Sequence, residues 1–224
     1  MNDNGSVQAD YLIRKGLTKL SITLTDQSIS GLVQYALELI KWNKKVNLVA
    51  RDTSLEEIVE KHFLDSLTII PVLDLYTSIN AILLDVGSGA GFPGLVLKTA
   101  CPERPVVLLE PRQKRVSFLN HIIRLLSLSD IVVLPHRTDE KTVLSKSNVD
   151  VITSRAVADV TSFLKMVDDL ADPGALIICM QGASGKDQWD GEKDNPKFDR
   201  VGIEYIQLPF SRDHRTILVF RKKS

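Results

Sequence analysis

The hydrophobic rhythm changes along the chain. Up to about residue 75 apolar residues recur every three to four positions, the period of an amphipathic helix. Beyond Ala81 they fall into short continuous runs separated by helical stretches, the pattern of buried strands alternating with helices. The polar opening MNDNGSVQAD is expected to be disordered, and Leu12, Ile13, Leu17 and Leu20 line one side of a short helix. A longer helix is predicted from about Thr25 to Val46, with Asp26 as N-cap and Ile29, Leu32, Val33, Ala36, Leu37, Leu39 and Ile40 at helical spacing. It ends in KWNKKVNL, whose lysines suit a helix dipole as well as they suit an anionic partner. A third helix is predicted from about Ser54 to Ile70. Ser54 caps it, Glu57 completes a capping box and Pro71 stops it.

Strands are predicted at 81–86, 105–109, 131–134, 149–153 and 175–180. Helices between them cover about Phe92–Ala100, Arg112–Leu126, a short piece after Thr138, and Val160–Leu170 capped by Asp159. The mixed-charge stretch 183–200 reads as an exposed loop. Two closing strands, Val201–Leu208 and Thr216–Phe220, form a hairpin, and RKKS is a basic tail. Residues 1–75 therefore read as a helical extension packed on an α/β domain spanning 76–224.

Composition narrows the picture. Apolar residues make up 44%, enough for a large core. Lys plus Arg and Asp plus Glu are both 28, so a nucleic-acid surface has to be local. Cys101 and Cys179 lie in apolar runs and read as buried thiols. His62, His121, His136 and His214 form no metal-ligand spacing, so no metal is expected. With no apolar leader and no long apolar run, the expectation is a cytoplasmic monomer without a membrane span. His62 and Asp65 share a helix face, but no nucleophile or metal partner is near them in sequence, so they read as structural.

The chemistry concentrates at AILLDVGSGAGFPG, 81–94. An apolar strand runs into Asp85, then Gly87, Gly89 and Gly91 alternate, and a helix follows Gly94. Glycine permits positive φ and close approach of a ligand to free helix N–H groups. Gly89 to Gly94 satisfies G-x-G-x-x-G, and Glu110 lies about twenty residues on, where a strand-terminal carboxylate reaches ribose hydroxyls. Both fit a nicotinamide dinucleotide. Against that reading, Asp85 would repel a pyrophosphate, and too few residues follow the fifth strand for a hydride-acceptor domain. A ligand with a ribose, an adenine and a zwitterionic amino-acid tail, S-adenosylmethionine, fits all of these features.

The order Asp85–Gly94, then Glu110-Pro-Arg-Gln-Lys114-Arg115-Val-Ser-Phe-Leu119, then Arg137-Thr-Asp-Glu140, then Ser154-Arg155-Ala156-Val157 resembles the bacterial small-subunit rRNA (guanine-N7) methyltransferases, also called glucose-inhibited division protein B. WNKKVNL and KHFLDSL resemble that family's helical lead-in. The likeness runs from about Tyr35 to Lys222. It implies a class I S-adenosylmethionine-dependent methyltransferase of Rossmann-like α/β fold, with six strands parallel and the last antiparallel. It also implies methyl transfer to N7 of a guanine in the decoding-region loop of 16S rRNA, free or within the 30S subunit.

With that resemblance, the cofactor residues are Asp85, Gly87, Ser88, Gly89, Gly91, Phe92, Glu110, Thr138, Asp139 and Arg155. Gly87, Gly89 and Gly91 line the methionine, Asp85 supports the loop or, through water, the ammonium group, Glu110 takes the ribose, and Thr138 and Asp139 flank the adenine. Lys114, Arg137, Arg155 and Arg215 hold RNA. No acid or base is expected, because guanine N7 carries its own lone pair; Arg155 positions. The chain departs from the family at Gln181, where a lysine is usual; either Gln181 supplies hydrogen bonds or Lys186 takes over. Two other readings stand beside this one, a non-catalytic ribosome-assembly module and an NAD-dependent enzyme.

Overall fold

The computed structural model describes residues 3–136, 149–155, 157, 159–182 and 195–224. Its N-terminal layer consists of α1 (Asp3–Leu20), α2 (Asp26–Asn43), α3 (Leu55–Ile58), a π-helical turn (Val59–Leu64), α4 (Asp65–Leu67) and α5 (Ile70–Tyr76). The rest alternates: β1 (Leu83–Val86), α6 (Gly94–Ala100), β2 (Val106–Leu109), α7 (Gln113–Leu125), β3 (Ile131–Leu134), β4 (Val151–Arg155), α8 (Val160–Val167), β5 (Leu176–Gln181), β6 (Phe198–Gln207) and β7 (His214–Lys222).

The sheet has seven strands in the order β3-β2-β1-β4-β5-β7-β6. β1 to β5 pair in parallel, and β7 runs antiparallel to both β5 and β6. Six strands thus share one direction and the last opposes them. The chain starts at β1, moves outward to β3 and returns to β4, so a topological switch lies between β1 and β4. Ligands bind at the carboxyl ends of such strands.

Side chains alternate across the sheet with the period of two that strands impose. Leu83, Leu108, Val151, Ile178 and Ile217 face α6, α7 and the N-terminal helices, while Leu84, Leu109, Ile152, Ile177 and Leu218 face α8. The N-terminal helices share one continuous hydrophobic cluster with the sheet.

Several boundaries differ from the sequence expectation. Residues 3–10 are not disordered but open α1, because Ala9, Ile13 and Leu17 are buried against the other helices. Thr25, not Asp26, caps α2 by accepting from the Ser28 amide at 3.1 Å. α2 ends at Asn43, three residues early. The Asn43 side-chain Oδ1 accepts from Leu48 N at 2.9 Å and Val49 N at 3.0 Å, bonds that fold KKVNL into a turn. Trp42 packs on Phe118 and His121 of α7. The Ser54–Glu57 capping box is present. Pro71 does not end a helix; it occupies the first turn of α5, where its missing N–H costs nothing. The C-terminal strands run further than expected, and Arg221 and Lys222 belong to β7 rather than to a tail.

α1 crosses the π-helical turn at Gly16, where an added Cβ would lie 2.1 Å from Leu64 Cδ1. Helix propensity alone gives Gly16→Ala a gain of about 1 kcal/mol. Overpacking a buried contact costs about 1–3 kcal/mol. The net is a loss of up to about 2 kcal/mol, so the expected outcome is a thermal midpoint lower by up to several degrees; a higher midpoint would show that α1 is not seated there.

Candidate active site

The glycine loop joins β1 to α6 and is tied down from all sides. Gly87 N and Ser88 N donate to Leu109 O at 2.9 and 3.1 Å, stitching the turn to the end of β2. Ser88 Oγ donates to Asp85 O, and Ser154 Oγ, at the end of β4, donates to Val86 O at 2.9 Å. The Tyr35 hydroxyl, from α2, donates to Ala90 O. Gly87, Gly89 and Gly91 all adopt positive φ, which few side chains tolerate.

These glycines face two ways. A Cβ on Gly87 would meet nothing within 4 Å, and one on Gly89 nothing nearer than Arg115 Nη1 at 3.6 Å. That side is open to a ligand. A Cβ on Gly91 would instead lie 2.2 Å from the Tyr35 hydroxyl, so Gly91 admits a close approach of the N-terminal layer. Gly94 brings α6 against the sheet, with Asp85 Cβ and Leu108 Cδ2 both 2.6 Å from its built Cβ.

Two carboxylates brace the loop. Asp85 is fully buried; its Oδ2 accepts from Gly94 N at 2.9 Å, and its Oδ1 has no hydrogen-bond partner among the described residues. Burial pushes its carboxyl up to about 7, against the opposing effects of the Gly94 amide bond, the nearby Ser88 hydroxyl and the Arg155 charge. Glu110, just past β2, accepts from Gly89 N through Oε2 and from Arg112 N through Oε1, each at 2.9 Å. Arg115 Nη1 stands 3.6 Å from Oε2. Each carboxylate oxygen can accept more than one bond, so a further donor can be taken.

Beside the loop, Arg155 projects from the end of β4 into the N-terminal layer. One Nη1 donates to Lys61 O at 2.9 Å and to His62 Nδ1 at 2.8 Å. Its guanidinium lies 4.9 Å over the Phe92 ring, whose centroid is 4.9 Å from that of His62 in a stacked arrangement. Asp65 Oδ2 is 4.0 Å from Arg155, and Asp65 Oδ1 accepts from Arg215 Nε at 3.0 Å. Burial, then Arg155 and Lys61, push the His62 imidazole down to about 3, so it is neutral and its Nδ1 can accept. Burial raises the Asp65 carboxyl, and the two arginines oppose the shift. Glu60 Oε1 accepts from Phe210 N at 2.6 Å and Ser211 N at 2.8 Å, fixing the turn that presents Arg215.

Arg155 and Arg215 thereby line a cleft of about 360 Å³ with Lys61, Asp65, Met180, Gln181 and Gly182. The structure brings Asp85, Gly87, Ser88, Gly89, Gly91, Phe92, Glu110 and Arg155 to one end of the sheet. Phe92 is buried as an aromatic plate. Lys114 is exposed on the first turn of α7 and does not line the cleft. Arg137, Thr138, Asp139, Lys186 and the short helix after Thr138 lie outside the described residues. His62 and Asp65, read from the sequence as structural, hold the two arginines of the site. The signal in the sequence is a polar helix face carrying His62, Asp65 and Ser66; that Asp65 and Ser66 are buried is not legible there.

A seven-stranded sheet of this topology with a glycine loop after β1 and an acidic residue after β2 defines a Rossmann-like methyltransferase. Solved structures share the fold. A putative transferase of Pyrococcus horikoshii matches with a TM-score of 0.54 at 16% identity over 71% of this chain and 64% of its own. M. jannaschii TYW2 in complex with AdoMet matches with a TM-score of 0.51 at 13% identity over 70% and 75%. At these identities only the fold is shared.

The sequence goes further. The family model described as GidB, rRNA small subunit methyltransferase G, matches residues 28–217. Proteins named ribosomal RNA small subunit methyltransferase G are 40% identical in Desulfotalea psychrophila, over 93% of this chain and 96% of that one, and 33% identical in Geobacter metallireducens, over 97% and 98%. The chain belongs to the rRNA small subunit methyltransferase G family.

The site's open glycine face and its acceptors suit S-adenosylmethionine. The open side of Gly87 and Gly89 is shaped for a close-lying ligand, and the orphaned Asp85 Oδ1 is a buried acceptor at the same turn. Among the described residues no His, Cys, Asp or Glu group is arranged for a metal ion, and no helix is long and apolar enough to cross a membrane.

Proposed function

We propose that this chain transfers a methyl group from S-adenosylmethionine to N7 of a guanine in the decoding-region loop of 16S rRNA. The observation that carries this reading, beside family membership, is a cationic cleft beside the glycine loop in which none of the described lining residues is free to act as a base. His62 is neutral and its Nδ1 is taken by Arg155. Asp65 is held by Arg215 and Arg155. Guanine N7 has a lone pair and no proton to lose, so it is a nucleophile that such a site can serve. Catalysis then consists of alignment and preorganised charge.

When bound, S-adenosylmethionine supplies an electrophilic methyl on a sulfonium. The chain's residues divide the remaining work. The open faces of Gly87 and Gly89 receive the amino-acid end, Asp85 offers its uncommitted oxygen to the cationic end, and Glu110 uses its remaining lone pairs for the ribose. Thr138 and Asp139 serve the adenine. Arg155 and Arg215, preorganised by Asp65, hold phosphate or the guanine O6. Lys114 and Arg137 extend the RNA surface. A chain of zero formal net charge recognises a structured target through such local patches. The 30S subunit or a protein-bound rRNA is the substrate this favours, and the protein acts in the cytoplasm as a monomer.

Two measurements test this. Tritiated S-adenosylmethionine, incubated with 30S particles and with 16S rRNA that lack the modification, should label one guanine, mapped by cleavage at N7-methylguanosine. Binding to the particle without label would identify an assembly factor instead, and label at another atom would contradict the N7 assignment. The second concerns Asp85. Its carboxyl is poised near 7 and a cationic ligand favours the ionised form, so binding releases a proton. Affinity for S-adenosylmethionine should rise about tenfold from pH 6 to pH 8, by calorimetry, and Asp85→Asn should remove that slope. A flat wild-type profile would remove Asp85 from ligand contact.

A further inference from the structure

Gln181 ends β5 and stands where the family resemblance leads one to expect a lysine. Its Nε2 donates to Val157 O at 3.2 Å. That bond fixes the orientation of the amide, since a carbonyl oxygen can only accept. The other end, Oε1, is then buried with no hydrogen-bond donor among the described residues. Gln181 itself is only 4% exposed, yet it lines the arginine-bearing cleft. The remaining polar groups of the cleft are of a different kind. Arg155, Arg215 and Lys61 are cations, and Asp65 is engaged by the arginines. The wall of the cleft therefore holds a buried acceptor in a fixed orientation that lacks a donor among the described residues, and such groups in folded proteins call for an explanation.

We propose that Gln181 Oε1 accepts a hydrogen bond from the 2-amino group of the guanine being methylated, making Gln181 a specificity-determining residue. This rests on the function proposed above. Guanine presents donors on its N1 and 2-amino edge, and that edge lies across the base from N7. Adenine offers no donor at C2 and an acceptor at N1, so it would leave Oε1 unpaired. A site built to pair with a substrate N–H rejects an analogue lacking it, because its own buried group is then stranded. The bond selects guanine without touching the reacting nitrogen. It also explains how a glutamine can occupy this position: it works here as an acceptor, a role no lysine can fill.

The test compares 16S rRNA, ligated from segments, carrying guanosine or inosine at the target. Inosine keeps N7, O6 and N1–H and lacks only the 2-amino group. Wild-type protein should methylate the guanosine RNA about tenfold more efficiently in kcat/KM, the scale of one buried hydrogen bond. Gln181→Met removes the acceptor and Gln181→Lys replaces it with a donor. Both should bring the guanosine-to-inosine ratio to about one while affinity for S-adenosylhomocysteine stays at the wild-type value. A purely structural role would lower both substrates together and leave the ratio intact. An equal rate on both RNAs by wild type, or a wild-type ratio in either variant, would overturn the proposal. Failure of wild type to methylate the guanosine RNA would instead contradict the proposed function.

Discussion

The site depends on a guanidinium that is mostly out of water. Removing a charge from solvent costs several kcal/mol unless the protein supplies partners, and Arg155 collects them from several elements at once. The Lys61 carbonyl, the His62 ring nitrogen, the Phe92 face and the Asp65 carboxylate come from the N-terminal layer and the glycine loop. Arg155 itself comes from the end of β4. Satisfying one cation thus fixes how the helical layer, the loop and the sheet meet. Arg155 also neutralises its own surroundings. Its proximity, with burial, keeps His62 neutral, and its charge is balanced by an aspartate that in turn orients Arg215.

A second division of labour runs through the loop. Its packed side is filled by Tyr35 against Gly91 and by Asp85 and Leu108 against Gly94, while Gly87 and Gly89 face open space. Glycine is required on both sides, for opposite reasons. Asp85 and Glu110 hold the backbone through amide bonds and each keeps accepting capacity in reserve. The loop is shaped before a ligand arrives, which lowers the ordering cost of binding.

The strands, the Ser54 capping box and the glycine loop with Glu110 were legible because each follows a local rule: continuous apolar runs, a fixed capping spacing, a positive-φ turn. The rest was not local. MNDNGSVQAD looks polar, but Ala9 is buried by tertiary contact, and Gly16 packing on Leu64 has no signature in sequence. Pro71 is compatible with either end of a helix, and the chain uses it at the start. In sequence Gly91 resembles its loop neighbours; the Tyr35 hydroxyl packed against it sets it apart. His62 and Asp65 gave only a polar helix face, and the residues that give them meaning lie far along the chain: Arg155 is 93 positions from His62, and Arg215 is 150 from Asp65. The π-helical turn that carries Glu60 and His62 adds a shift that a 3.6-residue period does not anticipate.

On the function proposed above, the methyl-transfer site is assembled around the clamped Arg155. Arg155→Lys keeps a positive charge but cannot reproduce the planar fork that serves Lys61, His62 and the Phe92 ring. The most direct measurement is single-turnover methyl transfer to 30S particles at saturating S-adenosylmethionine. The expected result is a loss of about ten- to a hundredfold, the scale of forfeited charge-assisted hydrogen bonds. A rate indistinguishable from wild type would contradict it.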